Sequence, residues 1–134
     1  NMATTTATLT ISSADLTSNP LAITTSSTLY KAGTTIGLEQ TTGLSKKVYA
    51  AAQTNATLIN KDDYADNTHS RVYIRNSGSS STDFFTIELG SSNIVLGRLY
   101  GGDFLFIPYE GEQDVDITSS ATNMELEFMV INEG

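Results

Sequence analysis

A single histidine, His69, set between Thr68 and Ser70, is the one side chain of this sequence whose ordinary pKa suits a general base near neutral pH. Serines abound, so a Ser-His-acid arrangement can be imagined. No Gly-x-Ser-x-Gly elbow or other nucleophile motif accompanies it, and a histidine at a loop-to-strand junction is the plainer reading. One imidazole cannot make a His-rich metal site, and with no cysteine there is no thiolate to help. Carboxylates fall into two clusters. Asp62, Asp63, Asp66 and Asn67 offer oxygens that calcium accepts, yet their spacing departs from the twelve-residue calcium loop with its alternate ligands, central Gly and closing Glu. Glu110, Glu112, Asp114 and Asp116 recur every second residue. On one strand all four would line one face and repel, so a turn at Gly111 and Gln113 is expected to split them, with Val115 and Ile117 facing a core and Asp114 and Asp116 facing water. Nothing places two acids across a cleft as glycoside hydrolysis requires. Tyr30, Tyr49, Tyr64, Tyr73, Tyr100 and Tyr109 could form a sugar platform, but they are spread along the chain and fit equally well as amphipathic strand residues. No phosphate loop or dinucleotide fingerprint is present. The expectation is a non-enzymatic protein with no catalytic, metal or cofactor-binding residues and no cofactor.

The elements that would position these groups are strands. Segments 71–75, 83–89, 93–100, 104–109, 114–118 and 124–131 are rich in Val, Ile, Phe, Tyr and Thr and are bounded by Gly, Ser, Asn or Asp clusters. In the last, Met124, Leu126, Phe128 and Val130 share one face and Glu125 and Glu127 the other. Gly101-Gly102 is the kind of pair that supplies positive φ for a tight hairpin. Gly90-Ser91-Ser92-Asn93 and Glu110-Gly111-Glu112-Gln113 are further short connections, so strands joined by them are antiparallel neighbours or cross between sheets. Upstream, Ala7, Leu9 and Ile11 alternate with Thr6, Thr8 and Thr10 in a strand over 3–12, at the edge of its own domain or reaching to a neighbouring subunit. Short strands follow over 21–25 and 28–32, or one longer strand bent at Ser26-Ser27. Residues 33–45 are a bulged strand or a packed loop, 46–52 a strand or a helical turn, and the acidic stretch 61–67 a loop or a short turn of helix.

Together these predict an all-β fold, an antiparallel β-sandwich of about nine or ten strands, jelly-roll-like or immunoglobulin-like. At 134 residues it reads as a single domain over 1–134, with 1–12 a candidate N-terminal exchange arm. A formal charge of −8 argues against direct binding of nucleic acid, whose affinity comes from clustered Lys and Arg. No apolar run approaches the roughly 20 residues of a membrane span. The first residues lack the basic and apolar regions of a signal peptide, and Met2 reads as the natural start. Synthesis in a cytoplasm is expected.

The succession Val72-Tyr73-Ile74-Arg75-Asn76, a Ser-rich loop, Phe85-Thr86-Ile87-Glu88-Leu89, then Leu99-Tyr100-Gly101-Gly102-Asp103-Phe104-Leu105-Phe106-Ile107-Pro108 and Glu125-Leu126-Glu127-Phe128-Met129-Val130 resembles small virion structural proteins of tailed bacteriophages. The similarity covers about the C-terminal half of the chain and is a pattern of strands. It implies a β-sandwich subunit of the virion, most simply a capsid decoration (cement) protein on the major capsid lattice, working as a symmetric homo-oligomer with a trimer favoured. A tail- or fibre-associated module binding host glycans is the alternative. The Thr-rich N-terminal half has no counterpart in that pattern and could hold the docking surface.

Overall fold

A computed structural model describes residues 3–133. The expected start at Met2 and the first two residues of the expected 1–12 arm lie outside them. Where the sequence reading takes 1–134 together, the chain gathers into two compact units, Asn1–Glu39 and Gln40–Gly134.

The first unit is built on one hairpin. Alternating Thr and apolar residues favour the pleated backbone, and β1 (Thr6–Ser13) pairs antiparallel with β2 (Leu21–Thr28) from Thr6↔Thr28 to Ser13↔Leu21. The segment expected at the edge of its own domain or reaching to a neighbouring subunit is paired in a hairpin, and β2 runs straight through Ser26-Ser27. The connection starts on Ser13, whose Oγ accepts from the Leu16 N–H at 3.1 Å. Beyond β2 the Leu29 N–H donates to the Thr5 carbonyl at 2.9 Å, and the Leu38 N–H donates to the Leu29 carbonyl at 3.1 Å. Residues 33–39 form a loop touching back through a Tyr30↔Gly37 bridge. Gly37 is required there, because a Cβ would fall 1.8 Å from the Ala3 carbonyl oxygen.

The second unit holds β3 (Gln40–Thr41), β4 (Ser45–Tyr49), β5 (Ala56–Ile59), β6 (Ser70–Asn76), β7 (Phe84–Leu89), β8 (Ile94–Tyr100), β9 (Phe104–Tyr109), β10 (Val115–Ser119) and β11 (Met124–Asn132). One sheet has the order β5-β10-β7-β8. In the other β9, β6 and β11 are neighbours, and both β4 and the two-residue β3 pair with β11. From β4 to β11 every connection except β7–β8 crosses between the sheets. That alternation of eight strands in two four-stranded layers is the jelly roll, one of the two sandwich forms expected.

Period-2 patterning makes the core. Val72 and Ile74 of β6 and Leu126 and Val130 of β11 face Phe85 and Ile87 of β7 and Val115 and Ile117 of β10, all fully buried or nearly so. The Met124–Val130 face turns inward as expected, with Phe128 only half-buried. Gly101-Gly102 makes a tight turn, the Asp103 N–H donating to the Tyr100 carbonyl at 2.9 Å with Gly102 at φ +89°. It is not the hairpin expected, because β8 pairs with β7 and β9 with β6, so the turn carries the chain from one sheet to the other. Asn76 ends β6 buried. Its Nδ2 donates to the Leu99 carbonyl at 2.8 Å and its Oδ1 accepts from the Gly78 N–H at 3.0 Å, which ties the two layers together. Both halves of the amide are thereby satisfied.

Candidate functional site

His69 sits just ahead of β6, at one end of the sandwich. Its backbone N–H donates to the Glu133 carboxylate, and its ring Nε2 lies 2.6 Å from Arg71 Nη2. A guanidinium only donates, so Nε2 is an acceptor in that contact and is occupied where a general base would need to be open. The neighbouring Ser70 is buried, its hydroxyl 3.2 Å from that of Thr68. Burial holds the Arg71 guanidinium below its ordinary range. His69, Pro108, Tyr109, Glu110 and Gln113 contribute to a shallow hollow of about 380 Å³ at this end.

The acidic stretch is a 3-10 turn, Lys61–Asp63, capped by Asn60, whose Oδ1 accepts from the Asp62 N–H at 2.9 Å. It is fastened to the second cluster by the Lys61 N–H, which donates to Asp114 Oδ1 at 2.9 Å. Gly111, at φ +86°, breaks that second cluster as expected. A hydrogen bond with Glu110, and then the Glu110 charge, raise the Glu112 carboxyl above its ordinary range. Among the described residues no group of three or more His, Cys, Asp or Glu converges as a metal site would need.

Asp116 departs from expectation. It is 7% exposed rather than facing water, because β10 is an interior strand and its short side chain is screened by Thr57 on β5 and Glu88 on β7, its partners in register. Glu88 is buried too. The Thr118 hydroxyl donates to it at 2.9 Å, and the Asn55 amide, oriented to donate, reaches both its oxygens at 2.9 and 3.2 Å. Asp116 Oδ1 has no hydrogen-bond partner among the described residues.

The tyrosines do not assemble into a platform. Tyr49 and Tyr109 belong to the core, with Tyr64 edge-on to Tyr109 at 5.8 Å. Tyr73 lies on an outer face, its hydroxyl donating to Glu127 at 2.9 Å, and Tyr100 packs tilted against Phe84 with ring centroids 5.1 Å apart. Burial pushes up the ionisation of Tyr49, Tyr64, Tyr73 and Tyr109.

What the surface does concentrate is apolar, and sequence reading passed it over. On the flank where β8 and β9 are the edge strands of the two sheets, Ile94, Val95 and Leu96 are 64%, 60% and 48% exposed, with Phe104 and Phe106 also exposed. The β7–β8 ladder is irregular along this edge. Ile87 pairs with Gly97 and Glu88 with Val95, leaving Leu96 as the extra residue of a bulge. Three consecutive apolar residues, breaking an otherwise alternating strand, were the available signal. A second apolar surface lies on the hairpin, whose register gathers Ala7, Leu9, Ile11, Leu21 and Ile23 on one face, with Leu9, Ile11 and Ile23 each more than two-fifths exposed.

No family model, curated protein or solved structure matches the chain. The functional reading therefore rests on the molecule's own chemistry. Charge is distributed unequally over it: thirteen of the fifteen acidic and six of the seven basic residues lie in Gln40–Gly134, for a net −7 of the total −8. Between Thr6 and Thr28 the single charge is Asp15. Natural sheet edges are commonly guarded by charge or proline, and neither β1 nor β2 carries either.

Proposed function

We propose that the protein is a non-enzymatic structural subunit of a tailed-phage virion, a capsid decoration protein that binds the major capsid lattice as a homo-oligomer. One observation carries the reading: an acidic jelly-roll sandwich is paired in sequence with a hairpin whose strands carry no charge and leave Leu9, Ile11 and Ile23 exposed. A two-stranded hairpin is marginal in water by itself, so this one is suited to being covered by another surface. The sandwich supplies a stable body whose charge keeps free subunits apart. The fold class adds support only by analogy, since jelly rolls serve in capsids and also in lectins and other proteins. Several weak contacts made at once by an oligomer on a repeating lattice would give tight attachment without any one large interface. The acceptor-only contact of His69 with Arg71 and the dispersal of the tyrosines both weigh toward this reading and away from a hydrolase or a glycan platform.

The test is co-sedimentation of the purified chain with empty shells of the virus that carries the gene, shells stripped of minor proteins. Retention at a fixed ratio to the major capsid subunit is expected. Failure to pellet with the shells, or retention by purified tails alone, overturns the capsid assignment.

A further inference from the structure

Two apolar surfaces of this chain lack a strand neighbour. Among the described residues β1 and β2 pair only with each other, and β8 closes one end of its sheet. The geometry points to these two surfaces being each other's occupants between copies: the hairpin of one subunit docks on the β8 edge of the next. This rests on the part of the proposed function that has copies assembling, and needs no shell.

Three features select this pairing. The first is repulsion. Each copy carries −7 on its sandwich, so two sandwiches approach each other at a cost, whereas a hairpin whose strands are uncharged and whose one charge is Asp15 approaches the sandwich of a neighbour at a much smaller one. The second is local charge. Within β8 the only ionised side chain is Arg98, and within the hairpin the only one is Asp15, so the single charges are opposite in sign. The third is the nature of the edge. The bulge at Leu96 interrupts the ladder and hinders a further strand from continuing it, while Ile94, Val95 and Leu96 all stay exposed along that edge. A row of apolar side chains suits that better than a bare backbone edge, and Leu9, Ile11 and Ile23 provide such a row on a strand pair eight residues long. Because the two surfaces differ, the contact is heterologous. Each copy gives a hairpin and receives one, and a closed ring such as a trimer leaves neither surface open.

The experiment uses two full-length variants, Ile11→Lys and Val95→Lys. Both positions are exposed, so each variant is expected to melt within a few degrees of the wild type, and circular dichroism checks that it is folded. Light scattering at one total concentration then reads the mass. The wild type is expected to be an oligomer and each variant alone a monomer. Their equimolar mixture is expected to form a dimer, double the monomer mass and no larger, because the intact hairpin of Val95→Lys meets the intact edge of Ile11→Lys. Assembly of Val95→Lys alone would mean that hairpins pair with hairpins, and assembly of Ile11→Lys alone would mean that edges pair with edges. Either result overturns the inference, as does a monomeric wild type or a mixture that stays monomeric. Should Ile11→Lys or Val95→Lys lose its fold, Leu9→Lys and Ile94→Lys replace them with the same outcomes. A capsid role that failed co-sedimentation would leave these masses unchanged, so the two readings fail separately.

Discussion

The hairpin unit and the sandwich are written in the same alphabet. Both alternate apolar with hydroxyl or charged residues, and both are antiparallel, yet β6 alternates fully buried with half-buried positions while Leu9, Ile11 and Ile23 of β1 and β2 stay exposed. The difference is a second layer. In the sandwich each apolar row meets another from the facing sheet, so Val72 and Ile74 lose their contact with water. In the hairpin, Leu9, Ile11 and Ile23 keep theirs. Alternation specifies a face that can be buried, and topology decides whether it is.

The sharpest way to break this contrast is to remove one apolar side chain from each region. Phe85→Ala should cost about 3–5 kcal/mol in urea unfolding, from lost burial and the cavity left behind, and Ile11→Ala, measured at a dilution where the chain is monomeric, should stay within about 0.5 kcal/mol of wild type. Comparable losses at the two sites would mean that the hairpin shares a core with something in the monomer. Next in size is Asn76→Ala. It leaves the Leu99 carbonyl and the Gly78 N–H without their partner and should cost about 2–3 kcal/mol. A cost below about 0.5 kcal/mol would show that the tie between the layers is dispensable.

Two smaller effects probe charge on the sandwich. Asp116 and Glu88 are buried and directly opposed, so Asp116→Asn should stabilise the fold by about 0.5–1 kcal/mol at neutral pH. A loss would reveal that the Asp116 carboxylate has a partner. Smallest is Glu112→Gln. Glu110 raises the Glu112 carboxyl in the folded state, so the folded protein binds that proton more tightly than the unfolded chain does. Stability from this group is therefore present at low pH and falls as pH rises through the window above the ordinary glutamate range. Glu112→Gln should melt slightly higher than wild type at pH 7 and at the same temperature at pH 3; a difference that persists at pH 3 would rule out the charge on Glu112 as its cause.

Much of the fold was legible. The strands from Arg71 onward follow the alternation, and the inward face of β11 is the one read from Met124 to Val130. The sequence was silent where the outcome depends on a neighbour distant in the chain. Gly101-Gly102 signals a turn, but whether it joins two strands of one sheet or two sheets depends on β7 and β6, already in place on either side. Asp116 looks solvated by type and becomes buried only because β10 is an interior strand. The bulge at Leu96 is a property of the pairing with β7, and with it went the exposed edge. As for the candidate sites, the split of the acidic cluster at Gly111 and the turn after Asn60 were readable from local chemistry. The contact of His69 with Arg71 spans the junction into β6 and could not be read as attraction or occupancy from spacing alone.

The position of β11 has a consequence for time. It is an interior strand, pairing with β4 through Met124↔Tyr49 and with β6 through Leu126↔Asn76, so that sheet cannot close until residues 124–132 have been made. The hairpin needs only residues 6–28. A hairpin forms in about 1–10 μs. Ribosomes add about 5–20 residues per second, so roughly 5–20 s separate the completion of β2 from that of β11. For that interval the hairpin segment, with Asp15 its one charge, has been made without the acidic body that later follows it, and neighbouring nascent chains on one message would carry hairpin segments before any of them carries a finished sandwich.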